Sequence, residues 1–286
     1  MNCKRARRAC PQFTIAKLRS NAKAPHKHEK NFATTPQFIK TFKSLKSVPR
    51  IKMQIQEHKL KLIKITDETP DVKAFRFETK EPINYLPGQF FMVRFEDDPK
   101  LQRAYSISST PTQKNYIEIA VRLVGVFTHK LFKAKINDYL IFKGPFGKLV
   151  FTEEMKDNLI MISGGCGLPA FMGIIRYCNE KKLPNKISLI YSARTPADII
   201  FREELEKIKS ENSNFDYIIT ITRPEPEHNW TGCTGRITQE LLKQNIKDIE
   251  NNLYYLCGPM EFVKTNMEFL ENLGVKKERM KTDIWG

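Results

Sequence analysis

Arg103-Ala104-Tyr105-Ser106 puts a guanidinium, a phenol ring and a hydroxyl within four residues. A guanidinium donates two parallel hydrogen bonds to phosphate oxygens. A flat aromatic can lie against another planar ring while its hydroxyl still reaches a polar group. On an extended segment Arg103 and Tyr105 share a face, and Ser106 points the other way unless the strand ends there. Further on, Gly164-Gly165-Cys166-Gly167-Leu168-Pro169 allows a close backbone approach to a diphosphate. It is not the GxGxxG fingerprint, yet it follows an apolar run and opens a helix pattern, with Pro169 suited to the first turn. Cys257-Gly258-Pro259 again follows an apolar run, which sets a thiol at the end of a strand. Taken singly, each cluster also has a plain structural reading: a strand with a packed Tyr, a glycine turn, a core cysteine.

The elements that must position these residues follow two rhythms. Residues 54–142 hold short β-forming segments (61–65, 74–77, 90–95 and 116–121) separated by Pro, Gly, Asp and Asn, which predicts an antiparallel barrel. Pro87-Gly88-Gln89 turns the chain into the third segment, and Gly144-Pro145-Phe146-Gly147 reads as the turn that closes the barrel. Between them, Gly125-Val126-Phe127-Thr128 leads into one or two helical turns, whose free amides could face an anion. His129 reads as a surface residue. After Asp157 the pattern alternates. Strands over 159–163, 187–191, 217–220 and 253–256 are interleaved with helices over 170–178, 202–209 and 261–273. Such alternation predicts a doubly wound parallel sheet with its ligand crevice at the C-terminal ends of the strands.

In this order and spacing the three clusters resemble the ferredoxin-NADP reductase family, over roughly residues 53–286. The resemblance implies an antiparallel β-barrel flavin-binding domain (53–150) followed by an α/β doubly wound parallel-sheet nucleotide-binding domain (151–286), with FAD and NAD(P)H as cofactors. It assigns Arg103 to the flavin phosphates, Tyr105 to the ring face and Ser106 to a hydrogen bond near the reactive flavin nitrogen. Val126, Phe127 and Thr128 would complete the pyrophosphate site. Gly164, Gly165, Gly167 and Pro169 would approach the nicotinamide nucleotide. Cys257, followed by Gly258 and Pro259, would stand beside the nicotinamide carbon that gives up hydride. No His partner is evident for Cys257, so it is read as a positioning residue, not a covalent nucleophile. Arg194, and second Arg223, could pair with a 2′-phosphate. No acid for the ribose hydroxyls can be located, so NADH and NADPH both stay open. Asp283 and Trp285 match the family's terminal acid-x-aromatic spacing, although Asp replaces the usual Glu and one further Gly follows.

Charge is uneven. Residues 1–52 carry fourteen Lys or Arg against one acid, Glu29, a net of +13 out of +16. No nucleic-acid binding is therefore expected of the core. This leader reads as a transit peptide, as an upstream extension with Met53 as the working start, or as a basic arm for a polyanion; in each case it is expected to be disordered alone. The first reading places the protein in an organellar matrix and the second in the cytoplasm. No stretch approaches the ~20 apolar residues of a membrane-spanning helix, so a soluble protein is expected. The six cysteines are scattered without CxxC pairs or cluster spacing, which predicts reduced thiols and no iron–sulfur centre. The expected activity is transfer of electrons from NAD(P)H through FAD to a one-electron acceptor in trans, ferredoxin-like or a cytochrome. The alternatives are a flavin-bearing subunit of a larger oxygenase or dehydrogenase complex, or an inactive core on a basic binding protein.

Overall fold

The computed structural model describes residues 55–285, so the expectations stated for the leader lie outside the described residues. β1 (Gln56–Thr69), β2 (Val72–Glu78), β3 (Phe90–Arg94), β4 (Gln102–Ser106), β5 (Tyr116–Arg122) and β6 (Tyr139–Phe146) form one antiparallel sheet in the order β4-β3-β6-β1-β2-β5. Its two ends meet at an antiparallel bridge between Ile107 and Ile119, which curls the sheet into a barrel. Alternating apolar residues point inward; Leu62, Phe75, Phe77, Phe91 and Phe142 are fully buried there. α1 (Val126–Phe132), between β5 and β6, plugs one end with Phe127 and Leu131. One local expectation is revised. Gly144 and Pro145 do not form the closing turn; β6 continues through them to Phe146, which pairs with Phe90, and the chain turns at Gly147 with φ +112°.

The second sheet is built from β7 (Leu159–Gly164), β8 (Ile187–Ala193), β9 (Phe215–Ile221), β10 (Cys233–Thr234), β11 (Leu253–Pro259) and β12 (Met280–Trp285), all parallel, in the order β10-β9-β8-β7-β11-β12. α2 (Leu168–Glu180), α3 (Arg202–Glu211), α4 (Gln239–Asn245) and α5 (Met260–Asn272) connect them. Every residue of β7 is buried, as expected for a strand covered on both faces. The chain starts at β7, runs outward to β10, then returns to β11 on the other side. The direction of winding therefore reverses between β7 and β11, which opens a crevice at their C-terminal ends.

The two sheets share an apolar core. Val72, Ala74 and Ala120 of the barrel belong to the same cluster as Phe171, Ile174 and Tyr255. α2 lies so close to the barrel that a Cβ on Gly173 would sit 2.7 Å from the Ile107 carbonyl oxygen. Ion pairs reinforce the junction. Glu118 of β5, 2% exposed, accepts from Arg76 Nε (2.6 Å), Arg176 Nη1 (2.6 Å) and Ser108 Oγ (3.0 Å). Arg176 of α2 also grips Glu204 through two bonds of 2.7 and 2.6 Å. Burial opposes ionisation of Glu118, but the Arg176 and Arg76 guanidiniums outweigh it and hold the carboxyl below the usual range. On the far side, Lys281 of β12 donates to the Val150 carbonyl (2.9 Å) in the connection between the sheets and leans over the Tyr255 ring. Burial lowers its pKa to about 8.

Candidate flavin and nucleotide site

β4 is an edge of the first sheet, and its register carries a surface from core to solvent. Tyr105 lies opposite Phe91 and Arg103 opposite Val93, both partners fully buried. Tyr105 is half-buried and leans on Phe127, ring centroids 5.6 Å apart; burial pushes its hydroxyl pKa well up, so it stays protonated. Arg103 is exposed, and its Nη1 donates to the neighbouring Gln102 carbonyl. Ser106 ends the strand, half-buried, beside the point where α2 meets the barrel.

At the start of α1 the first amides, those of Val126 and Phe127, have no intrahelical acceptor. Thr128 has a different job from a phosphate contact. Its Oγ1 accepts from the Val124 and Gly125 amides (2.8 and 2.9 Å) and donates to the Gly125 carbonyl (2.9 Å). A hydroxyl has one hydrogen and two acceptor positions, all used here, so Thr128 shapes the loop and leaves no hydrogen for a phosphate oxygen.

The glycine turn and the Cys257 segment meet where the winding reverses. Cys257 is in register with Ser163 on one side and Asp283 on the other. A Cβ on Gly167 would stand 2.2 Å from the Cys257 carbonyl oxygen, so only glycine lets the start of α2 press against β11. Gly165, at φ +52°, turns the backbone left-handed, and a Cβ there would stand 3.7 Å from Arg122 Nη1. Pro169 occupies the first turn of α2. Cys257 and Gly258 are buried, whereas Pro259 is exposed at the crevice. Ser163 Oγ is buried with no hydrogen-bond partner at the end of β7. On β12, burial raises the pKa of the Asp283 carboxyl, and the Trp285 backbone pairs with Pro259.

A cleft of about 250 Å³ opens here, lined by Gly164, Gly165, Arg194, Thr222 and Pro259 of the second domain and by Arg122 of the barrel, among others. Arg194, directly after β8, is held by two carboxylates: Nη2 donates to Asp198 Oδ1 (2.6 Å) and to Asp71 Oδ2 (3.0 Å). Arg122 Nε donates to the same Asp71 oxygen (2.8 Å). Asp71 and Arg122 carry no signal in the sequence; Asp71 sits in an ordinary-looking turn between β1 and β2. Burial works against the Asp71 charge, but Arg122, Thr69 and Arg194 outweigh it and hold the carboxyl below the usual carboxylate range. Arg223 is exposed beyond the end of β9, and its amide donates to the Arg194 carbonyl (2.8 Å).

These features fit a dinucleotide flavin and a nicotinamide nucleotide. The exposed guanidinium and the half-buried ring suit the first, and the glycine cradle beside the cleft suits the second. Comparison with known proteins agrees. Residues 59–151 match the oxidoreductase FAD-binding domain family, and residues 161–267 the oxidoreductase NAD-binding domain family. The chain belongs to the ferredoxin-NADP reductase-like flavoprotein oxidoreductases, whose two-domain fold and FAD and nicotinamide cofactors it shares. Among curated proteins it is 29% identical over 238 residues to the glycine betaine monooxygenase reductase subunit of Chromohalobacter salexigens, covering 80% of this chain and 64% of that one. It is 30% identical over 212 residues to a subunit of the Na(+)-translocating NADH-quinone reductase of Idiomarina loihiensis, covering 69% and 52%. The chain thus spans between about half and two thirds of the length of these relatives. The ferredoxin reductase in carbazole 1,9a-dioxygenase superimposes with a TM-score of 0.73 at 25% identity, covering 81% of this chain and 70% of that one. The Neisseria gonorrhoeae ferredoxin NADP+ reductase, with bound FAD and NADP, shares the fold at a TM-score of 0.69 and 22% identity, covering 81% and 99%. Among the described residues no helix is long and apolar enough to cross a membrane, and no cluster of His, Cys, Asp and Glu could hold a metal ion.

Proposed function

We propose that this chain takes electrons from NAD(P)H onto FAD and passes them singly to a separate redox protein, a ferredoxin-like protein or a cytochrome. FAD supplies the capacity to accept two electrons together and release them one at a time. The observation that carries the reading is the joining, in one structural unit, of the exposed Arg103–Tyr105 strand and the crevice between Gly164 and Cys257. In this reading residues 53–150 form the flavin domain and residues 151–286 the nucleotide domain.

Arg103 would hold the flavin diphosphate together with the Val126 and Phe127 amides, and Tyr105 would present its ring to the flavin face. Ser106 would offer its hydroxyl at the strand end. Gly164, Gly165, Gly167 and Pro169 give the nucleotide a close approach to the backbone. Cys257, Gly258 and Pro259 shape the place where the nicotinamide lies, with Asp283 and Trp285 on the adjoining strand. A second reading, a flavin-bearing component of a larger oxygenase or dehydrogenase complex, draws support from the relatives whose names are those of subunits.

The test is the absorption spectrum of purified protein supplied with FAD, before and after anaerobic addition of NADH or NADPH. Loss of the flavin band supports the reading; protein that neither retains FAD nor oxidises either nucleotide refutes it. Arg103→Ala should lower FAD retention without lowering the melting temperature of the FAD-free protein, because Arg103 is exposed and its guanidinium bonds to the carbonyl of its own neighbour, Gln102.

A further inference from the structure

The end of the second strand of a doubly wound nucleotide domain is where the adenosine ribose is read: an acid there accepts from the ribose hydroxyls, and an arginine accommodates a 2′-phosphate. Here that place is held by Arg194, directly after β8. Taken alone, Arg194 argues for a 2′-phosphate and hence for NADPH.

Its bonding argues otherwise. A guanidinium grips a phosphate through two parallel N–H groups, along either the Nε–Nη2 edge or the Nη1–Nη2 edge. Both edges include Nη2, and Nη2 is committed to Asp198 at 2.6 Å and Asp71 at 3.0 Å. Nε is buried without a partner, so it cannot serve a ligand from solvent. Asp198 is itself fixed, since its other oxygen accepts from the Thr195 amide (2.9 Å) and hydroxyl (2.7 Å). Asp71 is fixed from the barrel by Arg122 at 2.8 Å and Thr69 at 3.1 Å. Arg194, Arg122 and Asp198 line the cleft, and Asp71 stands just behind the two arginines, so two positive and two negative charges balance there. A dianionic 2′-phosphate would meet the Asp198 carboxylate and no open guanidinium edge, whereas ribose hydroxyls need neither. Arg223 is likewise outside the lining, and its contact with Arg194 is through its backbone amide.

We propose that Asp71, supplied by the barrel, is a selectivity residue that holds Arg194 away from a 2′-phosphate and so makes NADH the donor. This rests on the reductase reading above. Asp71 touches neither nucleotide nor flavin in this account; it acts by positioning Arg194.

The experiment compares the FAD-loaded full chain with Asp71→Asn, Asp71→Ala and Asp71→Glu. Steady-state rates with NADH and NADPH are measured, together with calorimetric titration by adenosine 2′,5′-bisphosphate and by 5′-AMP. Wild type should prefer NADH. Removing one negative charge beside the cleft should raise the NADPH-to-NADH ratio of kcat/KM roughly tenfold, through a lower KM for NADPH. Binding of the 2′,5′-bisphosphate should tighten by a similar factor relative to 5′-AMP, and Asp71→Glu should restore the wild-type ratio. A wild type that prefers NADPH overturns the proposal, as does an unchanged ratio in variants that melt like wild type. Protein that oxidises neither nucleotide instead refutes the reductase reading, while the two adenosine titrations still report on Asp71.

Discussion

Replacing Glu118 by Gln keeps the shape of the side chain and removes its charge. The consequence can be worked from the ions that surround it. Glu118 is buried between Arg76 and Arg176, each 2.6 Å away, and the Arg176 side chain is only 12% exposed. Removing one partner of a buried pair leaves the other charge uncompensated, at a cost of about 3–5 kcal/mol. Arg176 keeps its two bonds to Glu204, and Arg76 reaches solvent, so the lower end applies. With a urea m-value of about 2.5 kcal/mol/M for a chain of this size, a loss of about 3 kcal/mol moves the midpoint down by roughly 1.2 M. Urea unfolding followed by far-UV circular dichroism reads this directly. The double variant Glu118→Leu with Arg176→Met should lose less than the two single changes together, because it removes both desolvated ions. A midpoint shift under roughly 0.4 M for Glu118→Gln would refute the reasoning, since it would mean that solvent or Glu204 already compensates Arg176.

Other predictions follow from single contacts. Gly167→Ala should cost about 1–3 kcal/mol by forcing α2 away from the Cys257 carbonyl, whereas Gly125→Ala, which meets nothing within 4 Å, should change stability by less than about 0.5 kcal/mol; thermal melts of both separate close approach from helix propensity. Lys281 carries a folded pKa of about 8 against an ordinary 10.5. Between those values the unfolded chain holds a proton that the folded chain lacks, so wild-type stability should rise with pH from about 8 to 10.5 relative to Lys281→Met. Parallel pH profiles for the two proteins would show that the amine is solvated. The Glu118 carboxyl works in the opposite range: its folded pKa is lowered, so its contribution is present at neutral pH and is lost as acid protonates it.

What the sequence discloses about this fold depends on how strongly each segment is patterned. β7 is apolar at every position because it is buried on both faces, and the helix after the glycine turn has nine buried residues, so both are plain in the sequence. β1 runs on to Thr69 as a strand, yet its outer half alternates charge with partial burial and reads as a loop. α4 buries only Leu242, β10 is two residues long, and β12 is an edge strand with exposed Thr282 and Ile284, so none carries a periodic signal. The same limit applies to the site. Arg103, the glycine turn and Cys257 are local motifs, and the sequence shows them. The neutralisation of Arg194 by Asp71 spans 123 positions and depends on how the barrel turn between β1 and β2 meets the end of β8; no local pattern records it.

The shared core gives the boundary near residue 150 a particular meaning. Val72, Ala74 and Ala120 lie with the aromatic and aliphatic side chains of the second sheet, and Arg176 reaches from α2 to the buried carboxylate of Glu118. Cutting the chain there would leave an apolar face on each half and would break the Arg176–Glu118 pair, although Glu118 keeps Arg76 and Arg176 keeps Glu204. The barrel and the sheet are therefore separate in topology but joined in cooperativity, so a transplanted nucleotide domain would need this barrel's Glu118 and Asp71 to keep both its stability and its charge balance.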